Sequence, residues 1–246
     1  MRGWLALNAE VFFWAVLAPL KGRRWSMAET FRQMVQIGVR AWPMSALVAL
    51  SIGLTLAMQS ASKLRQMGAD AYIPDLVSVS LLRELGPLLV AVIVIGRSGS
   101  AVTAELGTMK VGEEIEALKV MAINPIRFLV VPRVIAMLVM LPALTVFGDC
   151  VGIIGGWSVC RFALGFSSAG FIVRAVESAS TWDLYSGVIK SVVFAWLIIT
   201  IACQSGLDVE GGAEGVGNAT THSVVWSILM TLIANALLTG FFFFIL

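Results

Sequence analysis

No G-x-x-x-x-G-K-[ST] run occurs anywhere in this 246-residue chain, so it has no loop of that kind to cradle nucleotide phosphates. Gly211, Gly212, Gly215 and Gly217 in DVEGGAEGVGNATT do not satisfy G-x-G-x-x-G, and no strand precedes them. Charge is scarce: 13% of residues are Asp, Glu, Lys or Arg, and the net charge of +2 leaves no electrostatic footprint for nucleic acid. His222 is the only histidine, and a lone histidine forms no metal cluster, so no metal site is expected. Cys150, Cys160 and Cys203 lie in apolar segments, and their odd number and lack of C-x-x-C spacing argue against disulfides or zinc. Neither a Ser/His nor an Asp/Asp pair lies within an apolar segment, so no catalytic residue is assigned.

What remains is apolar. At 59% hydrophobic and a mean hydropathy of +0.91, the chain has too little polar surface to cover a globule in water, and it reads as an all-α integral membrane protein. Within the N-terminal segment 1–25, residues 3–20 are apolar around Glu10. A secretory signal carries its basic residues before the apolar run and a small-residue cleavage site after it. Here only Arg2 precedes the run, whereas Lys21, Arg23 and Arg24 follow it. The segment therefore reads as an uncleaved interfacial helix with Trp4, Trp14 and Trp25 at headgroup depth, a sixth span being the alternative. Ser26-x-x-Glu29 is a capping box that starts a helix over 27–62, whose charge-free part, 41–62, is long enough to cross hydrocarbon.

Four further spans are predicted at 81–106, 132–165, 184–207 and 223–246, separated by loops at 63–79, 166–183 and 208–221. Pro142 marks a bend in the third span, and Lys190 is expected to snorkel from the fourth. Five spans with a cytoplasmic N-terminus place Arg2, Lys21, Arg23, Arg24, Arg32, Arg40, Lys110, Lys119, Arg127 and Arg133 inside, against Lys63, Arg65, Arg161 and Arg174 outside. That asymmetry obeys the positive-inside rule and puts the C-terminus on the external side. Asn218-Ala-Thr220 falls on the inner side and is discarded as a glycosylation acceptor.

Between the second and third spans, 111–123 is short, charged and amphipathic. Ile115, Leu118 and Ala122 share one face, Glu113, Glu114 and Glu116 crowd the first turn, Lys119 follows, and Pro125 prevents continuation. Its place on the inner side suits docking to a cytoplasmic partner. Gly148, Gly152 and Gly156, and likewise Gly99, Thr103 and Gly107, recur every four residues and read as close helix-packing stripes. Arg97, Glu105 and Asp149 are charges inside apolar spans, each costing roughly 2.5–3.5 kcal/mol at mid-bilayer. An Arg97–Asp149 pair and a polar route through the membrane are both open readings.

RELGPLLVAVIVIGRSGSAVTAELGTMKVGEEIEALKVMAINPIRFLVVPR, with GGAEGVGNATT before the last span, resembles the MlaE-type permeases. These are membrane subunits of MCE-associated ABC transporters that move lipids between bacterial membranes. The resemblance spans most of the chain. It implies a homodimer in the bacterial inner membrane, each subunit with an N-terminal interfacial helix, five spans and a cytoplasmic coupling helix. That helix would bind a separate ATPase, which holds ATP and Mg while this chain holds no cofactor, through Gly112, Glu113, Glu114, Ile115, Glu116, Leu118 and Lys119. It also implies a periplasmic MCE-domain partner, a small STAS-domain protein on the ATPase, and a phospholipid cavity near Leu56, Met67, Arg83 and Glu84. Asn124 departs from the Asp common before the loop proline. An ion-coupled secondary transporter using Arg97, Glu105 and Asp149 is the rival reading, although an odd number of spans does not suit an inverted repeat.

Overall fold

The structure, a computed structural model, describes residues 2–17 and 26–245. Trp25 and the basic residues Lys21, Arg23 and Arg24 lie outside the described residues. Among those described the chain is helical without strands. A short α1 (Arg2–Phe12) precedes α2 (Met27–Met67), α3 (Asp70–Val111), α4 (Glu114–Val120), α5 (Ile126–Phe162), α6 (Ser168–Ser178), α7 (Thr181–Leu207) and α8 (Gly212–Ile245). Of these, α2, α3, α5, α7 and α8 are long and apolar enough to cross a membrane.

Local chemistry sets the helix ends. Ser26 accepts a hydrogen bond from the Glu29 amide (3.3 Å), the N-cap of α2. Within α2 the α-helix stops at Gly38, where a Cβ would collide with the Met140 side chain, and resumes at Trp42. Asn124 Oδ1 accepts from the amides of Ile126 and Arg127 at 2.9 and 3.1 Å, so the Asn caps α5 as an Asp would.

Three loops expected from the sequence are mostly helical. Pro74 sits in the first turn of a helical segment, where a missing N–H costs nothing, so α3 reaches back to Asp70. Ser167 caps α6 by accepting from the Gly170 amide (3.0 Å). In the glycine-rich stretch Gly211 and Gly212 take positive φ, +88° and +73°, and α8 begins at Gly212 itself.

The chain divides into two compact units, each assembled from three separate stretches: Met1–Ala41, Val92–Leu141 and Val192–Leu237 in the first, Trp42–Ala91, Pro142–Ser191 and Leu238–Leu246 in the second. In the first unit, Gly206 lies so close to α3 that a Cβ would stand 2.7 Å from Leu106 Cβ. There Thr103 Oγ1 meets the Ala202 carbonyl at 3.1 Å and Ser223 Oγ at 2.9 Å. Gly107 faces Val209 and Val216, and Gly99 is in ordinary contact with Ile198. In the second unit, Ala57, Ile73, Val77, Leu81, Val159 and Phe171 form a buried cluster under α6. Here Gly148, Gly152 and Gly156 meet Val90, Leu81 and Val77 respectively, and Gly53 lies directly against the Gly152 carbonyl.

Candidate functional site

The second unit holds a cluster of charge built on a defect in α3. Residues Leu81–Leu85 form a π-turn and Pro87 follows. Proline has no N–H to give the carbonyl four residues back, so Arg83 C=O is left without its helical donor. Lys190 of α7 fills that vacancy: its Nζ donates to Arg83 O at 3.1 Å, to Glu84 Oε1 at 2.7 Å and to Thr239 Oγ1 of α8 at 2.8 Å. Three ammonium protons meet three oxygens. Thr239 also lies 3.1 Å from both Glu84 oxygens. Lys190 does not snorkel as its sequence position suggested; its side chain is 1% exposed, because these partners outbid the water at the interface.

Arg83 faces Asp183 at 3.9 Å and keeps a third of its side chain exposed. Asp183 is fixed by the start of α7, where its Oδ2 accepts from the Ser180 amide at 3.0 Å. Gly187 makes the meeting of α7 and α3 possible, since a Cβ there would run into the Leu82 carbonyl. The result is two carboxylates, one guanidinium, one ammonium and a hydroxyl, with Arg83 the cation left accessible. Such a group can hold an anionic headgroup through the guanidinium while Lys190 locks the scaffold.

Of the four cavity residues expected, the structure brings Arg83 and Glu84 into this cluster. Leu56 packs at the edge of the apolar cluster around Val77 and Phe171 instead, and Met67 lies 78% exposed on a turn. The sequence reading missed Asp183, Lys190, Thr239 and Gly187. The available signal was Pro87 after a charged pair, which announces an unsatisfied carbonyl.

Asp149, 2% exposed, packs its Oδ1 over Gly86, on the spot a Cβ would occupy, and that oxygen has no hydrogen-bond partner among the described residues. Arg97 lies on the other π-turn of α3 and donates to Gln36 O (3.4 Å) and Ser98 Oγ (3.3 Å). Glu105 pairs with buried Arg133 at 3.0 Å. These three charges therefore have separate surroundings and form no relay of contacts among the described residues.

In the first unit, α4 is shorter than the 111–123 expected, because both its flanks turn left-handed. Glu113 (φ 59°) precedes it, and Ala122 (φ 58°) follows, where the Ile123 amide returns to Leu118 O at 2.9 Å and the Ala122 amide to Lys119 O at 3.0 Å. Ala122 is therefore in the closing turn and not on the helix's apolar face. Ile115 is buried and Leu118 half-buried, while Val120 and Met121 stand 88% and 60% exposed. Glu116 takes Lys110 at 2.8 Å and Lys119 at 3.0 Å, and these bonds hold its carboxyl below the usual value. Glu113, Glu114 and Gly112 are exposed.

A family model described as Permease MlaE matches residues 30–241. A probable ABC transporter permease protein of Rickettsia prowazekii is 40% identical over 212 residues, 86% of this chain and 82% of that one. The intermembrane phospholipid transport system permease protein MlaE of Haemophilus influenzae is 37% identical over 213 residues, 86% and 82% of the two chains. The chloroplastic protein trigalactosyldiacylglycerol 1 of Arabidopsis thaliana is 35% identical over 242 residues, 98% of this chain and 69% of that one. The chain belongs to the MlaE permease family. It is a multi-pass membrane protein of the ABC transporter permease class, and not the ATPase.

Proposed function

We propose that this chain is the permease through which a bacterial lipid ABC transporter moves phospholipid between the inner membrane and a periplasmic MCE-domain protein. A separate cytoplasmic ATPase, with a STAS-domain protein bound to it, drives the cycle, and two copies of this chain form the membrane core. The carrying observation is the accessible Arg83 guanidinium, held beside Asp183 on a scaffold pinned by Lys190. A guanidinium fork recognises a phosphodiester bidentately, and the Leu, Met and Val side chains of the spans suit acyl chains. The exposed Glu113 and Glu114 at the start of α4, and the exposed Val120 and Met121 at its end, form the docking face for the ATPase. Helix α4 joins α3 to α5 along the chain, so a push on α4 is carried into both of those helices.

Reversing Glu113 and Glu116 to Lys tests the docking. ATP hydrolysis is expected to lose its coupling to lipid transfer while assembly with the ATPase weakens; undiminished transfer in the double variant rules the docking face out. The unpartnered Oδ1 of buried Asp149 favours ion coupling as a second reading. Transfer that persists without any ATPase and stops with a protonophore would establish it.

A further inference from the structure

A cavity lies in the first unit, at the elbow where α2 breaks. It measures about 180 Å³, and Gln33, Gln36, Arg40, Arg97 and Ser98 line it together with the apolar Ile37, Ala101 and Val102. Two guanidiniums therefore border one small space. Neither is paired with a carboxylate among the described residues: the ion pairs of this unit join Arg32 to Glu29, Lys110 and Lys119 to Glu116, and Arg133 to Glu105. Arg97 uses one nitrogen in two long bonds, 3.4 Å to Gln36 O and 3.3 Å to Ser98 Oγ, and its other donors are uncommitted. Arg40 has no hydrogen bond among the described residues. Glu29, four residues before Gln33 on α2, is engaged by Arg32 (3.7 Å) and by Gln33 Nε2 (3.0 Å).

Position supplies the second argument. Arg40 is the last charge before the charge-free stretch 41–62, and Arg97 is the first after the charge-free stretch 85–96. Both helices pass from apolar to polar at this cavity, which is the composition of a membrane interface. Val39, next to Arg40 in the chain, is 55% exposed, apolar surface for an acyl chain to cover. Paired cations at that depth without an internal counter-ion require an external one.

We infer that the cavity between Arg40 and Arg97 binds the phosphate of a membrane phospholipid headgroup. Arg97, held by the Gln36 carbonyl and Ser98, presents its free edge; Arg40 closes over the phosphate from α2. Gln33 Oε1, buried and without a hydrogen-bond partner, is the acceptor available to a headgroup hydroxyl or ammonium. The site is separate from the Arg83–Lys190 cluster and does not depend on what the protein transports.

Native mass spectrometry of the purified full chain in neutral detergent tests it, with dihexanoyl phosphatidylglycerol, a diacylglycerol without phosphate, and inorganic phosphate as probes. Phosphatidylglycerol is expected to bind and the diacylglycerol not. Arg40→Gln, at an exposed side chain, should weaken binding about tenfold through loss of a charge-assisted hydrogen bond. Arg97→Lys should weaken it similarly, with both variants measured in an Arg83→Gln background so that the other cluster does not contribute. Unchanged binding in both arginine variants overturns the site. Inorganic phosphate binding as tightly as the lipid overturns the headgroup assignment in favour of a free anion. Absence of phosphatidylglycerol binding to the unaltered chain overturns the site too.

Discussion

At the residue scale, the second unit depends on exchanges between charge and small size. Lys190→Ala leaves the Glu84 carboxylate half-buried and the Arg83 carbonyl without its donor. Breaking one side of such a pair costs about 3–5 kcal/mol, whereas Lys190→Met with Glu84→Gln, which removes both charges, should recover most of it. Thermal unfolding of the two variants in one detergent measures the difference; equal losses in the single and double variants would show that the pair is not coupled. Gly86→Ala places a methyl on Asp149 Oδ1 and should destabilise by about 1–3 kcal/mol, with Asp149→Ala relieving it in the double variant. Arg83 and Glu84 were legible through the resemblance of the RELGP run to the MlaE-type permeases. It did not make their partners visible: Asp183, Lys190 and Thr239 lie a hundred residues or more along the chain, and only the crossing of α7 over α3 at Gly187 brings them in.

At the scale of elements, five apolar runs were legible because a bilayer demands them whatever the packing. Their ends were not. Gly212, Gly215 and Gly217 have poor helix propensity and read as loop, yet Val216 packs against Gly107 and that burial carries the helix through them. For α4 the amphipathic pattern placed a helix correctly but not its turns, since nothing in the sequence distinguishes a left-handed Ala122 from a helical one. Ala122→Gly should stabilise the linker by about 1 kcal/mol, relieving the left-handed Cβ, and should slow amide exchange at Ile123; faster exchange would contradict the turn. The Glu116 carboxyl is lowered by Lys110 and Lys119, so its stabilisation is complete above its ordinary value of 4.5 and is lost as pH falls through the lowered native value. Exchange protection of α4 should hold from pH 7 to 5 and fail only in stronger acid, with Glu116→Gln removing that acid step. An acid step that persists in Glu116→Gln would assign it to another group.

For the molecule as a whole, the family, the absence of a nucleotide loop and the exposed linker helix lead to one claim. The chain supplies the passage and a partner supplies the force. The direct measurement is transfer of labelled phospholipid from proteoliposomes to a soluble acceptor MCE protein. With the purified chain alone, with or without ATP, no transfer is expected. Adding the ATPase should give transfer that requires ATP hydrolysis and falls to background with Glu113 and Glu116 reversed to Lys. Transfer by the isolated chain, with neither nucleotide nor ATPase present, would contradict the account.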